Sequence, residues 1–167
     1  MATWQEVAEF LTDFEAAMAL GFLAGRLSVE QPSHTFTFPE CRVRRVVDGD
    51  TIIVQYAFAG METTEGVRLL NIDPPERGEP QYDEATGALQ SLVAGKTVTL
   101  EFEEPGKVER DNFGRLLAYV FADGMNVNVE MVRQGWSEFY TKYGKGRYAE
   151  AFRAAEKEAQ SGVRISD

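Results

Sequence analysis

Residues 46–76 read VVDGDTIIVQYAFAGMETTEGVRLLNIDPPE, and the order of residue types in that stretch decides the architecture. Val46 and Val47 close a run that alternates from Cys41, and Asp48-Gly49-Asp50 behind them is a turn signal. Thr51–Phe58 is β-branched and aromatic, residues 59–65 read as a turn, and Gly66–Ile72 reads as a third strand. Three strands on short connections make a meander. Asp73-Pro74-Pro75-Glu76 ends it, because neither proline can donate a backbone hydrogen bond to a ladder.

Downstream, residues 83–94 carry Ala88, Leu89, Leu92 and Val93 at helical spacing, with Gly95 placed as a C-cap. Lys96–Glu103 alternates as a fourth strand, and Leu116–Phe121 is a fifth. Asn126 is positioned to cap a short helix ending near Gln134, and a last helix runs from about Arg147 to Gln160. Three strands, helix, two strands, helix, helix is the order of a five-stranded OB-fold barrel flanked by about three helices, mainly β within the α+β class.

Upstream, Trp4, Val7, Phe10, Leu11, Phe14, Met18 and Phe22 recur at helical spacing, and Thr3 with Glu6 matches a capping box. This extra N-terminal helix is apolar from Ala16 to Ala24, too short a run to span a bilayer, which takes about 20 residues. Ala17, Gly21 and Gly25 permit close packing on the chain's own domain, on a second copy in a homo-oligomer, or at a membrane surface. Pro32 and Pro39 flank a short strand candidate at His34–Phe38. The division is a helical appendage and linker over 1–40 and a barrel domain over 41–167.

With 167 residues and 44% apolar content the chain supports one cored domain. Cys41 is the single cysteine and His34 the single histidine, which excludes intrachain disulfides and zinc sites built on cysteine clusters or histidine pairs. Any general base is then expected to be a carboxylate. The net charge of -10 argues against tight duplex binding, which depends on clustered cations. Residues 1–40 hold six acids against Arg26 alone, so the body is less acidic than the total suggests. The single cysteine and an N-terminal stretch that is acidic where an export signal would be basic set the expectation of a cytoplasmic protein, with a secreted one as the alternative if an upstream signal has been removed.

Asp48, Asp50, Arg68, Asp73 and Glu76 all fall at strand ends, and two acidic exits from one meander can meet at one end of a barrel. Arg68 lies in an apolar strand, so it either faces solvent at the barrel edge or is held in a cleft by anions. Arg115 follows Phe113-Gly114 just before the fifth strand. Carboxylates suit a hard cation, guanidiniums suit a phosphodiester, and together they supply the parts for its hydrolysis.

The runs VVDGDTIIV, VRLLNIDPPE and RDNFGRLLAYVFADGMNVNVEMVRQG, in that order, resemble the staphylococcal (thermo)nuclease family over roughly Arg42 to Gly162. The resemblance implies an OB-fold enzyme that cleaves DNA and RNA with Ca²⁺, leaving 3′-phosphate ends. It implies Asp50, Asp73 and the carbonyl of Pro74 as Ca²⁺ ligands, Glu76 as the residue that positions or deprotonates water, and Arg68 and Arg115 as the phosphate-binding pair. Phe113 stands where the family has a tyrosine that helps bind the substrate phosphate, so one hydrogen bond is absent there. Tyr140 and Tyr143 are candidates for stacking a nucleotide or for packing. The leading expectation is a sugar-nonspecific nuclease with single-strand preference. A non-catalytic module binding nucleic acid or protein is the alternative, and an assembly role for the N-terminal helix is compatible with either.

Overall fold

Alternation along the strands sets which face becomes the core, and the computed structural model, which describes residues 40–58, 60–104 and 106–162, follows it closely. Strand β1 (Cys41–Asp48) pairs antiparallel with β2 (Thr51–Phe58), and β2 with β3 (Met61–Leu69). Ile52, Val54, Tyr56, Val67 and Leu69 point inward and are buried. The sheet order is β3-β2-β1-β5-β6-β7, with β5 at Thr97–Glu101, β6 at Leu116–Ala122 and β7 at Met125–Asn126. Parallel pairing of Val67, Arg68 and Leu69 with Leu116, Leu117 and Ala118 joins β3 to β6 and closes a five-stranded barrel, leaving β7 as a two-residue extension.

Among the described residues three helices cover the barrel. Helix α1 (Tyr82–Val93) buries Ala85, Leu89 and Val93, four residues apart, on one face. Gly95, at φ +70°, turns the chain out of it as the sequence predicts. Helix α2 (Val127–Arg133) starts at Asn126, whose side chain accepts the Val129 N–H at 3.1 Å. Helix α3 (Ala149–Gln160) inserts Phe152 and Ala155, and Phe152 stacks on Phe139 at 4.9 Å. Burial of each such large side chain contributes about 1.5–3 kcal/mol.

Two expectations are corrected. Residues 61–65 are not a turn: Met61 to Glu65 pair with Phe58 to Val54, so β2 and β3 form a long hairpin on a two-residue connection. Thr63 and Thr64 are β-branched and suit a strand, and Gly60 at φ +78° supplies the tight turn. Asp73 also does not leave all pairing, since β4 (Ile72–Asp73) makes a separate two-stranded sheet with β8 (Glu138–Phe139). The prolines end that ladder one residue later. The predicted N-terminal helix and the strand candidate at His34–Phe38 lie outside the described residues. No helix among the described residues is long and apolar enough to cross a membrane.

Candidate active site

The two acidic exits meet because a glycine lets them. A Cβ on Gly49 would lie 2.8 Å from Cγ and 2.9 Å from Cβ of Pro74, so the β1–β2 turn and the segment after β4 are in van der Waals contact only if residue 49 has no side chain. Asp48 steadies the turn by accepting the Asp50 N–H at 3.2 Å. Asp50 is 6% exposed, and its two oxygens are both engaged. Thr51 Oγ1 donates to Oδ1 at 2.7 Å, and Arg68 Nη2 lies 2.8 Å from Oδ2.

Register places Arg68 opposite Thr51, which settles the choice left by the sequence in favour of a cleft charge. Its Nη1 donates to the carbonyls of Leu69 at 2.8 Å and Ile72 at 3.0 Å, and its Nη2 also approaches Asp73 Oδ1 at 3.5 Å. Burial outweighs this help at Asp50. The carboxyl is pushed up from 3.8 to about 7 by desolvation, against the lowering influence of Arg68 and Thr51.

Arg115 is brought to the same place by its own loop. Asp111 Oδ1 accepts the N–H groups of Phe113 (2.9 Å) and Arg115 (3.0 Å), and Oδ2 accepts from Arg115 Nε at 2.6 Å. Burial raises the Asp111 carboxyl, but these hydrogen bonds win and hold it below the usual carboxylate range. The Arg115 stem crosses Gly66, where a Cβ would meet its Cγ at 3.3 Å, and Nη1 donates to Thr51 Oγ1 at 2.9 Å. Arg68, Asp50, Thr51 and Arg115 therefore form one continuous chain of polar contacts.

Beside this chain opens a cleft of about 480 Å³, lined by Arg68, Asp73, Glu76, Asp111, Phe113, Arg115, Tyr140 and Tyr143 among others. Glu76 stands exposed on its wall, with its N–H tied to Glu79 Oε2 at 2.8 Å. Asp73 is oriented by its N–H, which donates to Ser137 Oγ at 2.7 Å. Phe113 and Tyr143 are each 85% exposed at the rim, and the Arg115 guanidinium sits 5.4 Å from the Phe113 ring. Tyr140 and Tyr143 contact each other edge-on at 6.0 Å. Asp50 and Pro74 are not among the lining residues: Asp50 lies behind Arg68, and Pro74 is buried on Gly49.

Three contributors escape a reading by sequence. Asp111 carries a visible signal, an Asx turn followed by arginine at the fourth position. Thr51 has none beyond its place after Asp50. Asn71, at φ +60°, donates from Nδ2 to the carbonyls of Tyr140 (3.0 Å) and Gly144 (2.9 Å) and accepts from Tyr119 Oη at 2.7 Å, so it anchors the tyrosine loop from nearly seventy residues away.

Whether these residues fit a hard cation follows from the same distances. Among the described residues no three histidine, cysteine or carboxylate side chains are gathered as a metal cluster. Arg68 Nη2 touches Asp50 Oδ2 and Asp73 Oδ1, so those oxygens are at most about 6.3 Å apart, against the roughly 5 Å that opposed Ca²⁺ ligands span. A modest approach of Asp73, half exposed at 45%, brings them into range. The donor set is all oxygen, and the under-compensated Asp50 carboxylate favours a further positive charge. The residues fit.

The chain matches the family model described as staphylococcal nuclease homologue over residues 66–164. An uncharacterized endonuclease of Escherichia coli O157:H7 is 45% identical over 103 residues, 61% of this chain and 61% of that protein. Endonuclease YncB of Bacillus subtilis (strain 168) is 36% identical over 124 residues, 70% of this chain and 56% of the relative. The chain thus spans less than two thirds of the length of these two. The thermonuclease of Staphylococcus intermedius is 34% identical over 126 residues, 71% of this chain and 70% of that one. With the barrel closed, the two acidic exits in contact and a matching stretch of 99 of the 167 residues that takes in the end of β3, strands β5 and β6 and the three described helices, this chain belongs to the staphylococcal nuclease homologues.

Proposed function

We propose that the chain is a divalent-cation-dependent nuclease that hydrolyses phosphodiester bonds in single-stranded DNA or RNA. One observation carries this reading: a single cleft gathers Arg68, Arg115, Asp73 and Glu76 with two tyrosines at its rim. Arg115 is held in advance by Asp111 and Thr51 through Nε and Nη1, which leaves Nη2 to meet charge on the phosphoryl oxygens without reorganising, while Arg68, held by Asp50, meets the same charge once Asp73 leaves its Nη2. Glu76, exposed on the cleft wall, takes a proton from the attacking water. Asp50, Asp73 and the Pro74 carbonyl are the residues to hold Ca²⁺, which when bound supplies Lewis-acid stabilisation of the charge developing in the transition state. Phe113, Tyr140 and Tyr143 offer flat faces to unpaired bases of any identity, which favours single strands and tolerates both sugars.

The alternative is a non-catalytic nucleic-acid-binding module, and the bridging of Asp50 and Asp73 by Arg68 is the observation on its side. A fluorescent single-stranded oligonucleotide incubated with Ca²⁺, with and without EDTA, separates the two. The nuclease reading expects EDTA-sensitive fragments ending in 3′-phosphate. Retention of intact oligonucleotide at every cation concentration overturns it in favour of binding alone.

A further inference from the structure

The outer face of the barrel carries positive charge that the cleft does not use. Arg42, Arg44 and Arg45 on β1 are all exposed, and among the described residues none takes part in an ion pair. In a chain of net charge -10, three unpaired guanidiniums on one strand stand out.

Register fixes where they point. Arg45 is paired with Ile53 and Ile53 with Gly66, and directly opposed residues of neighbouring strands face the same side of a sheet. Gly66 is the residue over which the Arg115 stem passes, and a Cβ there would also meet Ile53 Cδ1 at 3.8 Å. Arg45 is therefore on the outer face that Arg115 crosses, two strand spacings or about 10 Å away. Arg42 is paired with Gln55, one pleat beyond Ile53 on the same side. A register shift between Val43 and Arg45 makes Arg44 the extra residue of a bulge, which keeps it exposed between the other two. Glu62 is tied to the Gln55 amide on this face.

We infer that Arg45, Arg44 and Arg42 form a phosphate track continuing from Arg115 across β1, which carries the stretch of single-stranded polynucleotide that runs out of the cleft. The track resolves how an acidic body holds a polyanion: charge is concentrated along one line, and the surrounding acids raise the penalty for any other path. The inference rests on the nuclease reading for what occupies the cleft, but its own evidence is the face shared by Arg45 and Arg115.

The test uses the whole chain and the triple variant Arg42→Gln/Arg44→Gln/Arg45→Gln. Equilibrium binding of a fluorescent oligonucleotide of about 20 bases is measured in EDTA against salt, with cleavage of the oligonucleotide and of a dinucleotide measured in Ca²⁺. Each phosphate neutralised on a single strand contributes about -0.7 to the slope of log K against log salt, so the variant should lose about 2 from that slope. Between about 50 and 200 mM salt this removes roughly 20-fold of the parent's salt sensitivity. The dinucleotide should be cleaved equally by both proteins, and the corresponding triple lysine variant should keep the parent's slope. Equal slopes for parent and glutamine variant overturn the track, whether or not cleavage occurs. A parent that shows the arginine-dependent slope without cleavage upholds the track and overturns the nuclease reading. Slope loss in the lysine variant as well assigns the arginines a structural role and overturns the track.

Discussion

Replacing Asp50 by asparagine is expected to stabilise the cation-free protein at neutral pH and to leave it unchanged in acid. Burial raises this carboxyl from 3.8 to about 7 even with Arg68 2.8 Å away. The folded form therefore holds the proton more tightly than the unfolded chain. Stability from this group is fully present below its unfolded value near pH 4 and is lost as pH rises through about 7. Roughly three pKa units at 1.36 kcal/mol each amount to about 4 kcal/mol by pH 8. Asparagine keeps the shape, offers its carbonyl oxygen to Arg68 and its NH2 to Thr51 Oγ1, and cannot ionise, so it escapes that cost. A gain of this size raises Tm by about 10 °C for a chain of this length. Urea unfolding of parent and variant in EDTA, at steps from pH 4 to pH 8, should show midpoints that coincide in acid and separate progressively toward neutrality. Coincident midpoints at pH 8, or a gain equally large at pH 4, refute the reasoning. Under the proposed cation role, added Ca²⁺ should stabilise the parent and not the variant, because binding to the folded form alone shifts the equilibrium.

Glu76→Gln should lower kcat by about 10²- to 10⁴-fold, the usual worth of a general base, with KM changed less than about threefold; steady-state kinetics on the oligonucleotide decides. Asp111→Ala removes the 2.6 Å anchor of Arg115 Nε while leaving the Thr51 contact, and hydrogen bonds to charged groups of about 1.5–3 kcal/mol translate to a loss of about 10- to 100-fold in kcat/KM. Partial recovery in Asp111→Asn, which keeps the acceptor for the two backbone N–H groups, checks that Asp111 acts through the loop. Gly49→Ala forces a Cβ against the Pro74 ring at 2.8 Å, where a constrained ring cannot rotate away. It should cost about 1–3 kcal/mol in urea unfolding and impair cleavage together.

Much of this molecule was legible in the order of its residues, for a definite reason. Ile52, Val54 and Tyr56 are buried while Ile53 and Gln55 between them are only partly so, and a period of two can only be buried on one face of a strand. Asn126 and Gly95 mark helix ends because a side-chain acceptor and a positive φ are local requirements. The acids of DGD and DPPE stood out because glycine and proline mark where the ladders stop. Local rules reach a few residues along the chain and no further. That Gly49 must lack a side chain, that Thr51 joins Asp50 to Arg115, that Asn71 anchors a loop carrying Tyr140, and that Ile72 pairs with Phe139 are contacts between distant segments. They leave no periodicity to read. The side on which Arg45 faces depends likewise on a bulge and on the register against Ile53, which pairing of strands decides after the chain has closed. Composition and period thus determined which elements form, while closure of the barrel decided which of their charges meet.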